Sequence, residues 1–265
     1  MAFKKTLLFQ WLRALEPFKT WRWAYRIAKI SKHCTSWHDG LITFNNADFL
    51  QDPKFIHAYK LGEETGSWRG AIVQWRCYTA CWCANYAMNL EGDFVECGVY
   101  KGGLTRASID YISFDKMLDK KWYLLDTFEG FPSDQKDSVN PSPGLYADNP
   151  LESVSSTFSK FSNIIIIKGR VPQTLSQVPS EKIAYLSIDM NAASPEIATG
   201  SFFWDKLVPG APILLDDYGF LDHINQKHAW DAWAKDHNVE ILTLPSGQGL
   251  ILKPSRHSHQ SINDR

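Results

Sequence analysis

The chain has 265 residues, a hydrophobic content of 44% and a formal net charge of -1 at pH 7. That length can bury a sizeable core in one large α/β domain, alone or with an appendage. The near-neutral charge argues against a nucleic-acid partner, whose grip would rest on a strongly basic surface.

The N-terminal stretch MAFKKTLLFQWLRALEPFKTWRWAYRIAKISKH interleaves Lys4, Lys5, Arg13, Lys19, Arg22, Arg26, Lys29 and Lys32 with Trp11, Phe18, Trp21, Trp23 and Tyr25. Charge breaks its apolar runs well before the roughly 20 residues a membrane span needs, and no small-residue cleavage site follows, so a cytoplasmic protein is expected. Two readings of residues 1–32 stand side by side. One is peripheral contact with the anionic inner membrane surface; the other is a helical appendage, interrupted at Pro17, that packs its aromatics on the domain. Residues 1–66 are expected to form this extension and a substrate-side segment, and residues 67–265 the main domain.

Ser67 to Leu90 (SWRGAIVQWRCYTACWCANYAMNL) is apolar, aromatic and free of proline, which predicts a buried helix. Cys77, Cys81 and Cys83 fall within it without a CxxC pair, and with Cys34 and Cys97 they read as reduced thiols rather than a zinc set. From Asp93 the chain alternates. DFVEC is a strand, GGLTRASIDYI a helix, KWYLLD and NIIIIKG strands, KIAYLSID a strand and PEIATGSFFWDKL a helix. APILLDD is a strand, HINQKHAWDAWAKDH a helix, and VEILTL and GLILKP form a closing hairpin. This order predicts a doubly wound α/β domain with a mostly parallel sheet and an antiparallel last strand. Trp204, Trp230 and Trp233 have the helical spacing of core residues. Residues 130 to 150 (GFPSDQKDSVNPSPGLYADNP) are rich in Pro, Ser and Asp and predict a long loop, a candidate lid. Residues 37 to 75 and this loop are the expected seat of acceptor specificity.

In such a sheet ligands bind outside the carboxyl ends of the strands, and those ends are acidic here. The first ends in Glu96 and the turn GVYKGG, the second in Asp126 and Thr127, the third in Gly169 and Arg170, the fourth in Asp189, the fifth in Asp216 and Asp217. GVYKGG lacks both the GxGxxG spacing of a dinucleotide site and the Gly-Lys-Ser/Thr of a P-loop. A glycine turn with no cationic partner suits a small zwitterion, and an acid after the second strand suits a ribose diol. Together they favour S-adenosylmethionine, with its amino-acid end at Gly98 and Gly102 and its ribose at Asp126. A nicotinamide-dependent sugar oxidoreductase is disfavoured by the same spacing, and a non-catalytic, membrane-docked binding module with this fold is a third reading.

VECGVYKGG, LLDTFEGFP, SIDMN and LLDDYGF resemble the corresponding motifs of the macrocin O-methyltransferase (TylF-type) family, over roughly Gly92 to Pro254. The resemblance implies a class I methyltransferase that transfers a methyl group from S-adenosylmethionine to a sugar hydroxyl, assisted by magnesium and commonly assembled as a homo-oligomer. It implies cofactor-loop roles for Glu96, Gly98 and Gly102, a ribose role for Asp126, and metal ligation by Asp189, Asp216 and Asp217. Asn191 departs from the pattern, because the family often carries an acid there, and one negative charge is missing. Capping of the next helix is the alternative for Asp216 and Asp217, although adjacent acids at one strand end with Asp189 at another suit oxygen ligation. For proton removal the candidates are His223, with its suitable pKa, and Asp189 or Asp217. Tyr100 is positioned to face a sulfonium, Arg170 to flank adenine, and Gln226 and Lys227 to meet either a sugar or solvent.

Overall fold

The computed structural model describes residues 34–36, 38–132, 146–148 and 151–255. The basic segment 1–32, with its expected membrane contact, and most of the loop 130–150 lie outside the described residues. The described residues fall into two compact units, 34–36 with 41–47 and 38–40 with 48–255. In the smaller, Ser36 and Thr43 form an antiparallel bridge.

The larger unit includes a helix ahead of residue 67. Helix α1 (Pro53–Glu64) has a well-formed start: Asp52 accepts from the Lys54 N–H at 2.9 Å, and Pro53 opens the helix where its missing donor is harmless. It packs on helix α3 (Gly103–Ile112) with almost no gap. A Cβ on Gly62 would lie 2.7 Å from the Gly103 carbonyl oxygen. Helix α2 spans Gln74–Ala87, shorter than the expected 67–90. Arg69 and Gly70 take φ of 50° and 82°, which no α-helix accommodates, so residues 67–73 form turns instead. Helix α2 buries Cys77, Cys81 and Cys83 against the domain.

The sheet comprises β1 (Asp93–Cys97), β2 (Trp122–Asp126), β3 (Ile164–Lys168), β4 (Ile183–Ile188), β5 (Pro212–Leu215), β6 (Leu242–Thr243) and β7 (Gly249–Leu252), in the order β3-β2-β1-β4-β5-β7-β6. The first five are parallel, and β7 lies antiparallel between β5 and β6. All six residues of β4 are buried, as expected of a strand covered on both faces. Helices α5 (Ala193–Phe203) and α6 (Ile224–Asp236) pack Phe203, Trp230 and Trp233 with Leu186 and Ile213 on one face. Phe94, Leu124, Tyr185 and Phe158 form the core of the other. Helix α4 (Leu151–Phe158) supplies Phe158 and adds, with α1, to the expected order.

The chain leaves β1 toward β2 on one side and later reaches β4 on the other, so the order of winding reverses between the parallel strands β1 and β4. That reversal opens a crevice at their carboxyl ends. Gly98 sits at its floor with φ of 86°, and a Cβ there would stand 1.7 Å from the Asp189 carbonyl oxygen. Only glycine lets the two strand ends close to this distance.

Candidate active site

A cavity of about 410 Å³ occupies the crevice. Of the residues singled out from sequence, Glu96, Gly98, Tyr100, Asp126, Thr127, Gly169, Arg170, Asp189, Asp216 and Asp217 line it. Gly102 and His223 are not in its wall. Gly102 has another reason to be glycine: its φ is 78°, and a Cβ would meet the Phe158 ring at 2.5 Å. Gly103, its neighbour, lines the cavity and donates its N–H to Ser67 Oγ at 2.9 Å.

On the β1–β3 side the polar groups organise the backbone. Asp126 Oδ2 accepts the N–H groups of Val99 and Tyr100 at 2.7 and 2.9 Å, and Oδ1 accepts that of Phe128 at 2.8 Å. A carboxylate oxygen has two lone pairs, so Oδ2 is filled, while at Oδ1 the Thr127 hydroxyl lies at 3.4 Å beside the Phe128 N–H. Thr127 closes the next turn by donating to the Gly130 carbonyl at 2.9 Å. Tyr100 holds φ of 50° and donates through its hydroxyl to Asp148 at 3.0 Å, while its ring meets Tyr146 edge-on. Glu96 is buried in β1, and burial, with the negative charges of Asp126 and Asp216, pushes its pKa well above the usual carboxylate range.

On the β4–β5 side three carboxylates converge. One oxygen from each of Asp189, Asp216 and Asp217 lies within 4.8 Å of the others. Burial first, then the mutual repulsion of the acids, raises the proton affinity of Asp189 and Asp217, against an opposing pull from Arg76. Asp217 Oδ2 is buried without a hydrogen-bond partner among the described residues. Three hard oxygen donors, one of them unsatisfied, fit a divalent cation. Asn191, with φ of 53°, donates to Asp189 Oδ1 at 3.2 Å.

His223 stands behind this cluster. Its Nδ1 lies 2.9 Å from Gln226 Oε1 and 3.6 Å from Asp217 Oδ2. Gln226 is fully buried and donates to Glu196 at 3.2 Å, and Trp230 donates to the same carboxylate at 2.9 Å. Burial lifts Glu196 to about 7 in spite of those bonds. Lys227 pairs with Asp231 at 2.6 Å. Neither Gln226 nor Lys227 reaches the cavity wall, so a sugar contact by them gives way to structural roles. Asp216 and Asp217 face the cavity rather than capping α6, whose first residues carry no side-chain cap.

Several residues here escape a sequence reading. Arg76 donates from Nη1 to Asp216 at 3.2 Å and from Nε to Asp39 at 2.8 Å, and Gln248 donates to Asp216 at 2.9 Å. The Arg76–Asp216 pair is separated by 140 residues, so no local spacing announces it. Ser67, Trp68, Ala71, Val73, Gly130 to Pro132 and Tyr146 complete the walls, with Arg69 over the Tyr146 ring at 5.5 Å.

The sequence model of the macrocin O-methyltransferase (TylF) family matches residues 76–243, more than half of the chain. Mycinamicin III 3''-O-methyltransferase of Micromonospora griseorubida is 24% identical over 142 residues, 49% of this chain and 56% of that protein. The 8-demethyl-8-(2,3-dimethoxy-alpha-L-rhamnosyl)-tetracenomycin-C 4'-O-methyltransferase of Streptomyces olivaceus is 25% identical over 143 residues, 50% of this chain and 55% of that one. The chain thus spans about half the length of the curated relatives it matches. Among solved structures, the O-methyltransferase NovP superposes with a TM-score of 0.58 at 21% identity, covering 68% of this chain and 80% of its own. The calicheamicin methyltransferase CalS11 gives 0.53 at 16% identity, covering 79% and 94%. At these identities the structural likeness establishes a shared fold.

Proposed function

From the premise that the chain belongs to the macrocin O-methyltransferase (TylF) family, we propose that it transfers a methyl group from S-adenosylmethionine to a sugar hydroxyl of a glycan or glycosylated natural product, assisted by magnesium. The observation that carries this reading is the meeting, in one cavity, of the Gly98 turn and Asp126 with the acid triad Asp189, Asp216 and Asp217. The relatives' names, which specify sugar positions, support the acceptor class.

Bound in the crevice, S-adenosylmethionine would supply an electrophilic methyl group to the acceptor oxygen, with its thioether as leaving group, and the hydroxyl proton would pass to a base. A hard cation held by Asp189, Asp216 and Asp217 would lower the pKa of that hydroxyl and fix its oxygen. The protein's own groups do the rest. Asp189 and Asp217 line the cavity and are the carboxylates proposed to take the proton; His223, outside the wall, stands behind Asp217. Glu96, Gly98, Tyr100, Asp126, Thr127, Gly169 and Arg170 form the cofactor side. Trp68, Phe131 and Tyr146 exclude water from the acceptor side, and holding both reactants in line supplies much of the rate. The reading extends to two contacts outside the site, peripheral contact of residues 1–32 with anionic membrane and assembly as a homo-oligomer.

Calorimetric titration with S-adenosylmethionine tests the core of this reading. Micromolar binding is expected in the natural protein and loss of it in Asp126→Ala, with methylation of a sugar acceptor that falls on addition of EDTA. Binding of a nicotinamide in place of S-adenosylmethionine would overturn it, and activity indifferent to EDTA would remove the metal alone. Flotation on anionic vesicles, lost when Arg22, Arg26 and Lys29 are replaced, tests the membrane contact; light scattering tests assembly.

A further inference from the structure

The three carboxylates of the triad are not equivalent, and the difference lies in their partners. Asp216 is buried and spoken for at both oxygens: Oδ2 accepts from Arg76 Nη1 at 3.2 Å, and Oδ1 accepts from Gln248 Nε2 at 2.9 Å. Asp217 Oδ2, by contrast, is buried without a hydrogen bond among the described residues, and Asp189 Oδ1 receives the neutral amide of Asn191. Arg76 is itself locked in place. Its Nε and backbone N–H donate to the two oxygens of Asp39 at 2.8 and 2.7 Å, and the Asp39 side chain is 1% exposed. A guanidinium carries five N–H donors in a fixed plane and does not lose its charge in a protein. Burial alone would weaken that charge, but Asp216, Asp39 and Asp189 together hold it firmly in place. Arg76 also lines the cavity, so its charge is presented to whatever the triad binds.

Building on the proposed metal site, we propose that Arg76 is a resident counter-cation that competes with a metal for Asp216 and so sets the affinity of the triad for a divalent metal. A fixed positive charge beside the triad repels a cation there, and the bond from Nη1 draws on the Asp216 carboxylate that would ligate it. Arg76 is therefore a positioning residue, and Asp39, turned in from the segment before α1, is what aims it.

The test is Mn²⁺ binding to the full-length protein without cofactor, read from the paramagnetic resonance of free Mn²⁺. Arg76→Met is expected to tighten binding by at least about tenfold, since a unit charge at such distances is felt strongly at an effective dielectric near 20. Because Arg76→Met strands the buried Asp39 carboxylate, the double variant Arg76→Met/Asp39→Asn is measured beside it. It removes both charges of the pair and is expected to tighten binding in the same direction. Unchanged or weaker binding in the double variant would overturn the counter-cation and leave the metal site standing. Binding that appears only once Arg76 is removed would support the counter-cation while sinking magnesium assistance in the natural protein. Absence of binding in every form would overturn both.

Discussion

The two sides of the crevice handle negative charge in opposite ways. On the β1–β3 side, Asp126 accepts three backbone N–H groups, all within 27 residues of it, and ties the turn after β1 to the turn after β2. On the β4–β5 side, Asp189 and Asp217 are half-buried, Asp217 Oδ2 has no hydrogen bond among the described residues, and the nearby groups are Asn191 at Asp189, His223 at Asp217 and Arg76 at Asp216. Satisfied polar groups build a shape, whereas unsatisfied ones store an affinity for something that arrives later. The first side is suited to a cofactor bound in one pose. The second is suited to holding a cation and moving a proton.

The largest effect should come from the under-satisfied side. Asp217→Asn removes a charge and a proton acceptor while keeping the shape. A fall of about thousandfold in kcat/KM, about 4 kcal/mol, is expected from the loss of general-base or metal assistance. Calorimetry should find S-adenosylmethionine affinity within a few-fold of the natural protein. A parallel collapse of cofactor binding would show that the two sides are one unit.

The sides meet at Gly98, which offers a way to break them together. Alanine there is strained at φ of 86° and drives a methyl group to within 1.7 Å of the Asp189 carbonyl oxygen. Backbone strain and overpacking together should cost about 3 to 4 kcal/mol in denaturant unfolding, with cofactor and metal binding both weakened. A variant that keeps its stability would mean that β1 and β4 can part without penalty.

The same division explains what could be read in advance. Strand order, the acidic strand ends and the glycine turn follow from short-range pattern: DFVEC and KIAYLSID are apolar runs followed by an acid or a glycine, and the alternation with helices limits how they pair. Asp52-Pro53 is also a local helix signal, a cap followed by proline, and it marks α1 for any reading that weighs it. Gly102 reads from the sequence as a cofactor-loop glycine, and the Phe158 ring that crowds it belongs to α4, far along the chain. Arg76, Asp39 and Gln248 carry no local signal at all. Each acquires its meaning from a partner that only the folded sheet brings near, as the 140 residues between Arg76 and Asp216 show.

Glu196 sharpens the contrast from the stability side. Its folded-state pKa of about 7 lies above the ordinary 4.5, so the folded protein holds this proton more tightly than the unfolded chain. The group therefore costs nothing below about pH 4.5. As pH rises through the interval to about 7 the unfolded chain ionises first, and stability falls by up to about 3 kcal/mol, a loss complete above about pH 7. Glu196→Gln should remove that slope. Urea unfolding at about pH 5 and about pH 8 checks it, and the comparison is of the change between the two, because the amide also alters the bonds from Gln226 and Trp230. An equal decline in both proteins would mean that Glu196 is ionised throughout, as a well-satisfied carboxylate would be.

The smallest effect is expected where the wiring is most local. Thr127 donates to the Gly130 carbonyl at 2.9 Å and receives the Glu129 N–H at 3.3 Å, bonds that reach no further than three residues. Thr127→Ala leaves those groups to water at the cavity rim, so the loss is about 1 kcal/mol and a melting shift of about 2 to 4 °C for a chain of this size. S-Adenosylmethionine affinity should weaken by a few-fold, since Thr127 lines the cavity. Mn²⁺ affinity should not move. The turn shares no hydrogen bond with Asp189, Asp216 or Asp217, and a change there would require strain carried through Asp126 and the Gly98 contact to the Asp189 backbone, against the independence of the two sides.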